Sequence, residues 1–194
     1  VTGGTSLIEF PPAIAFHYLY YASLNGNLIA VSTRNGRRLW TVHVKRCEAA
    51  GPAVTRLGRG SVFETFLNPV PCGRGSAQNA DGEILAVAAG PSHSLRWRKH
   101  LGATETSPMV FGSRIYIADY EGNVYSLRGA TGETVWRFHA AGAVKGAIAY
   151  NRGRVFFGDY AGYLYALRAG DGGHAVGGVE LARPRAGLAH RAQQ

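Results

Sequence analysis

Ile115-Tyr-Ile-Ala-Asp-Tyr-Glu-Gly-Asn-Val-Tyr-Ser-Leu-Arg128 recurs, at an offset of 40, as Val155-Phe-Phe-Gly-Asp-Tyr-Ala-Gly-Tyr-Leu-Tyr-Ala-Leu-Arg168. No gap is needed: Asp119 falls on Asp159, Gly122 on Gly162, Leu127 on Leu167 and Gly132 on Gly172. A third copy lies 96 residues upstream, where Leu19-Tyr-Tyr-Ala-Ser-Leu-Asn-Gly-Asn-Leu28 precedes Asn35-Gly-Arg-Arg-Leu-Trp40. That distance is two repeats plus about sixteen residues, so a further copy belongs between them. It is present as Ser61-Val-Phe-Glu-Thr-Phe-Leu67, an insertion, Asp81-Gly-Glu-Ile-Leu-Ala-Val-Ala-Ala-Gly90 and Leu95-Arg-Trp97. Pro69, Pro71, Gly73, Gly75 and Ser76 mark the insertion, Asn68 to Ala80, as a surface loop.

Each unit consists of short runs of Val, Ile, Leu, Tyr and Phe separated by Asn-Gly, Asp-Gly, Glu-Gly or Thr-Gly, the pattern of strands joined by tight hairpins. In the third unit the expected strands are Ser107 to Phe111, Arg114 to Ala118, Asn123 to Leu127 and Glu133 to Phe138; in the first, Leu7 to Phe16 supplies the opening strand. Gly26, Gly82, Gly122 and Gly162 hold one position in the repeat, expected to be a primed turn in which φ is positive and a Cβ is costly. A capped amphipathic helix pattern is missing from the chain. One such sheet exposes two apolar faces and is stable only between neighbours, which makes a four-stranded, 40-residue repeat the mark of an all-β propeller blade. Trp40, Trp97 and Trp136 close three of the units, where a large ring would wedge adjacent sheets together. The expected blades are 7–44, 51–100, 105–140 and 144–181 of one domain, with 182–194 as a tail; Val176 replaces the Trp of the fourth.

Gly122-Asn-Val-Tyr-Ser-Leu-Arg-Gly-Ala-Thr-Gly-Glu-Thr-Val-Trp136 and Gly162-Tyr-Leu-Tyr-Ala-Leu167 resemble the PQQ-like repeat of the quinoprotein propeller family, G-x-(V/L)-Y-A-L-x-x-x-T-G-x-x-x-W. The resemblance implies blades with Trp packed between neighbours. After the Ala-Leu step the family commonly has Asp; here Ser32, Ala88, Arg128 and Arg168 stand there. Quinone-dependent dehydrogenases of the family carry the cofactor on the axis of an eight-bladed ring, with a disulfide between neighbouring cysteines, a Ca²⁺ and an Asp base. In this chain Cys47 and Cys72 are 25 residues apart, four units are present, and no acidic cluster has hard-metal spacing. Asp119 and Asp159, at equivalent repeat positions, read as turn residues. The expectation is therefore the non-catalytic branch, with no cofactor, no metal site and no catalytic residue. It is a binding or scaffold module for protein or peptide partners, engaged through propeller-face loops, an exposed edge or the insertion; a fragment of a quinoprotein dehydrogenase is the alternative. Rings of four to eight blades leave three arrangements for four units: a small ring, pairing of half-rings, or part of a larger protein, the last being preferred.

Composition narrows the classes further. With 194 residues, 46% hydrophobic, 11% aromatic, 17% charged and 27 Gly, the chain is neither disordered nor collagen-like. No apolar run is long enough for a membrane-spanning helix. The 21 Lys and Arg against 12 Asp and Glu, a charge of +9, raise nucleic acid or another polyanion as a partner. The arginines are scattered along the chain in ones and twos, which reads instead as a solvated basic surface. Seven histidines show no metal or triad spacing, and Cys47 and Cys72 lie in no CxxC. Nothing in the chain assigns a compartment.

Overall fold

A computed structural model describes residues 8, 10–44, 47–48, 50–55, 60–67, 81–174 and 179–180. All regular structure among them is strand, in four antiparallel sheets that each run as a meander. The first sheet holds β1 (Ala13–Ala15), β2 (Tyr18–Ser23), β3 (Asn27–Ser32) and β4 (Arg38–His43). The second holds β5 (Cys47–Glu48), β6 (Ala53–Thr55), β7 (Ser61–Leu67), β8 (Asp81–Ala88) and β9 (Leu95–Gly102). The third is β10 (Met109–Phe111), β11 (Arg114–Ala118), β12 (Asn123–Arg128) and β13 (Thr134–His139), and the fourth β14 (Ala149–Asn151), β15 (Arg154–Gly158), β16 (Tyr163–Arg168) and β17 (Val179–Glu180).

The opening strands are shorter than their apolar runs. Pro11 and Pro12 lack the N–H that a ladder needs, so β1 begins only at Ala13; Pro108 likewise delays β10 to Met109. The second sheet departs most: its innermost strand is split, β5 pairing with Phe66 and Leu67 and β6 with Ser61 to Phe63, on either side of Gly51-Pro52. The insertion from Asn68 to Ala80, including Cys72, lies outside the described residues, as do Val176 and the tail.

The sheets repeat in detail. Opposite each Trp on the neighbouring strand stands a small residue, Ala30 to Trp40, Ala86 to Trp97 and Ser126 to Trp136, and the register slips by a bulge immediately after it. Three core clusters join consecutive sheets. Tyr20, Leu28 and Trp40 meet Val62, Leu85 and Val87; Phe63 and Ile84 meet Ile115, Ile117 and Leu127; Tyr116, Val124 and Trp136 meet Val155 and Leu167. Each sheet buries both faces only where it has a neighbour on both sides, which makes the molecule a partial β-propeller. Among the described residues no such cluster joins the fourth sheet to the first.

Antiparallel meanders place the first and third turns of every sheet at one end, here the turn face. The middle turns and the sheet-to-sheet connections lie at the other, the connection face. Contacts between sheets keep the two ends in common: Phe111 stacks on Tyr150 at the turn face, and Tyr120 N–H donates to Ala103 C=O at the connection face.

Candidate interaction surfaces

Each tryptophan reaches from its own sheet into the next. Trp40 Nε1 donates to Gly90 O (3.1 Å), Trp97 Nε1 to Gly129 O (3.0 Å) and Trp136 Nε1 to Ala169 O (3.0 Å), carbonyls at the third turn of the following sheet. The ring then lies on that turn's left-handed glycine: a Cβ on Gly132 would stand 2.7 Å from Trp97, and one on Gly172 2.7 Å from Trp136. In the second sheet His93 takes the glycine's place and stacks on Trp40 with centroids 5.7 Å apart. Gly36, the equivalent in the first sheet, has nothing within 4 Å of that position.

The repeated glycines divide. Gly26 (φ 82°), Gly122 (φ 83°) and Gly162 (φ 92°) are left-handed, and each closes a middle turn. The residues before them, Tyr120 and Glu121 for instance, are not left-handed, so these turns are not the expected primed type; in the third and fourth sheets an aspartate organises the turn instead, and in the first Ser23 stands there, its hydroxyl bonded to Asn25. Asp119 Oδ1 accepts from Glu121 N–H (3.0 Å) and Asn123 N–H (2.9 Å), and its Oδ2 from Asn123 Nδ2 (2.9 Å) and the Tyr125 hydroxyl (3.0 Å). Gly82 is no turn residue at all. It lies inside β8, and a Cβ there would overlap the carbonyl oxygen of Gly102 on β9, so it is required by close backbone approach.

Asp159 repeats the arrangement, accepting from Tyr163 N–H, Gly142 N–H and the Tyr165 hydroxyl, each at 2.9 Å. Burial alone would push its carboxyl up, but these donors hold it below the usual carboxylate range. Conversely, burial raises the Tyr125 hydroxyl to about 12, with Asp119 adding to the effect. Both aspartates thus have their oxygens occupied, by their own turns, by a tyrosine of the following strand and, for Asp159, by the backbone of Gly142. Among the described residues no group of three or more His, Cys, Asp and Glu comes together in a metal-holding arrangement, and no helix is long and apolar enough to cross a membrane.

The sequence also repeats Trp-x-x-His, at Trp40 to His43, Trp97 to His100 and Trp136 to His139. It is structural: His43 Nδ1 lies 2.8 Å from Asn27 Oδ1, and His139 Nδ1 lies 2.9 Å from Asn123 Oδ1.

On the connection face Lys145 Nζ sits 4.3 Å from the Tyr120 ring centroid and 5.1 Å from that of Tyr160, bridging the third and fourth sheets. Tyr160 is 73% exposed, and the Tyr120 hydroxyl is raised by burial and by the Glu105 carboxylate. The turns here also carry Asp119, Glu121 and Asp159. Among the described residues the turn face has the opposite charge. Its turns and the flanking strand residues hold Arg34, Arg37 and Arg38 in the first sheet and Arg96 in the second. The third and fourth sheets add Arg114 and Arg128, then Arg152, Arg154 and Arg168, against two carboxylates, Glu133 and Asp171. Arginines that are scattered in the sequence are gathered on one face by the fold. Arg114 on Arg154 and Arg128 on Arg168 were visible in the repeat alignment; which end of the sheets they share was not.

A family model described as the outer membrane protein assembly factor BamB matches residues 80–175. BamB of Salmonella typhimurium is 28% identical over 129 residues, 66% of this chain and 31% of that protein. The chain belongs to the PQQ-like repeat β-propeller family. Its structure is similar to that of BamB from Moraxella catarrhalis (TM-score 0.65, 15% identity, 90% of this chain and 51% of that one). It is similar also to the quinohemoprotein alcohol dehydrogenase of Comamonas testosteroni (TM-score 0.67, 15% identity, 89% and 35%). The chain thus spans about a third of the curated relative and half of the Moraxella structure. Within the PQQ-like repeat, the Thr-Gly pair has a clear role here: its glycine is the seat for the tryptophan of the preceding blade.

Proposed function

We propose that this PQQ-like repeat propeller is a non-catalytic binding module for protein partners. The observation that carries this reading is the Tyr120–Lys145–Tyr160 group: an exposed aromatic ring and a cation, held by backbone hydrogen bonds to Ala103 and Ala143. Aromatic side chains fixed on a rigid scaffold are typical anchors of protein interfaces. The full occupation of the Asp119 and Asp159 oxygens supports the same reading, since an acid held by four turn and tyrosine donors is poorly placed to take a substrate proton. Likeness to an assembly factor points the same way.

The test has two arms. Adding PQQ and Ca²⁺ with an alcohol substrate is expected to give neither a thermal shift nor dye reduction; a response supports the dehydrogenase alternative instead. Co-purification of partners from the native lysate is expected to fall when Tyr160 and Lys145 are both changed to Ala, with melting unchanged. Retention of every partner by that variant removes the connection face from the interaction.

A further inference from the structure

A cavity of about 110 Å³ opens on the turn face between the second and third sheets. Phe63, Val110 and Ile115 line it together with Ser61, Arg96 and Arg114. Arg114 Nη1 is buried and has no hydrogen-bond partner among the described residues. An orphaned guanidinium nitrogen costs free energy unless an acceptor arrives from outside. The ladder adds a second cost, because Arg114 stands directly opposite Arg128, and Arg154 directly opposite Arg168. Like charges so placed repel. Among the described residues only the second arginine of each pair meets a carboxylate, Arg128 with Glu133 (3.3 Å) and Arg168 with Asp171 (3.0 Å). The repulsion is thus only partly offset, yet the arrangement occurs at the same position in two successive sheets.

We propose that the turn face is a docking site for an acidic peptide segment of a partner protein, one carboxylate of which enters the cavity between Arg96 and Arg114. Charge complementarity argues for an anion, and the guanidinium fork matches a carboxylate. The apolar side chains decide which kind of anion. Phe16, Leu39, Leu95 and Phe111 are 38%, 40%, 47% and 51% exposed, all on this face and set among the arginines. A peptide alternating Glu or Asp with Leu or Phe pairs with both sets. A nucleic acid strand engages the cations but has nothing for Leu39 and Leu95, and one face of Phe111 is already covered by Tyr150, with centroids 3.7 Å apart. The site lies at the opposite end of the sheets from Tyr160 and Lys145, so its failure leaves the reading of the connection face standing.

Fluorescence anisotropy with a short labelled peptide alternating Glu with Leu and Phe tests this directly, alongside its Lys-for-Glu counterpart and single-stranded oligo-dT. The acidic peptide is expected to bind, more weakly as salt rises, and the Lys counterpart not to bind. Arg96→Glu is expected to weaken binding roughly tenfold or more, while Lys145→Glu on the other face leaves it unchanged. Arg114→Met should act like Arg96→Glu; if it melts early, the exposed Arg96 variant still decides the matter. No binding of the acidic peptide, indifference to Arg96→Glu, or tighter binding of oligo-dT through the same arginines each overturns the proposal.

Discussion

Replacing Trp136 by Ala removes the ring that joins the third and fourth sheets. The side chain is 8% exposed, lies 5.8 Å from the Tyr116 ring, covers Gly172 and donates to Ala169 O. Truncating a buried Trp costs about 3–5 kcal/mol. The Ala169 carbonyl keeps the Tyr116 hydroxyl at 3.1 Å, so no acceptor is stranded and the loss is mostly packing. The middle of the range, about 4 kcal/mol, is therefore expected. For a chain of this size that lowers Tm by roughly 8–16 °C. Trp136→Phe keeps most of the buried area and forfeits the indole hydrogen bond, for a loss of about 1–2 kcal/mol. Far-UV circular dichroism and the fluorescence of Trp40 and Trp97, followed through urea and thermal melts, measure both variants. Since stacked repeats hold only to their neighbours, the fourth sheet should release first, with loss of strand signal before any change at Trp40. Ala and Phe variants that melt together, or an Ala variant losing less than about 1 kcal/mol, would refute the wedge argument.

Further contrasts separate local strain from packing. Ala at Gly36 (φ 69°), with open space around it, is expected to cost about 1 kcal/mol of left-handed strain. Ala at Gly132 (φ 75°) should cost clearly more because the Trp97 ring must move, and equal urea midpoints would count against the seat. Gly82→Ala is expected to destabilise although it lies in a strand, through overlap with Gly102; a neutral result in the same melts would contradict that close approach. Burial raises Tyr20 to about 12, with Tyr18 adding to the shift, and Tyr125 reaches about 12 as well. Their folded values lie above the unfolded one, so the stability they supply is complete below pH ~10 and is lost as pH rises toward 12, which a tyrosinate absorbance titration with parallel melts will follow. Asp159 is depressed, so its contribution is present above the ordinary carboxylate pKa and disappears as pH falls through its folded value. Asp159→Asn should flatten that acid limb in melts across acidic pH, and an unchanged limb would remove the aspartate from the turn's stability.

An offset of 40 and the alternation of Val, Ile, Leu and Tyr were enough to establish sheet type, repeat number and the identity of the wedge residues, because these depend on local periodicity and on where bulky rings recur. The late strand starts are local too, since Pro11, Pro12 and Pro108 cannot donate to a ladder. Other features depend on which backbones meet. The Gly82 to Gly102 approach and the split first strand of the second sheet depend on how neighbouring strands meet and do not recur with the repeat, while the seating of Trp97 on Gly132, repeated by Trp136 on Gly172, is a contact between sheets that only the packing reveals. The same holds for charge. Taken along the chain, the arginines look dispersed; a meander of antiparallel strands returns every second turn to the same end, and that return sorts them onto one face and leaves Arg114 Nη1 with no acceptor among the described residues, beside a cavity.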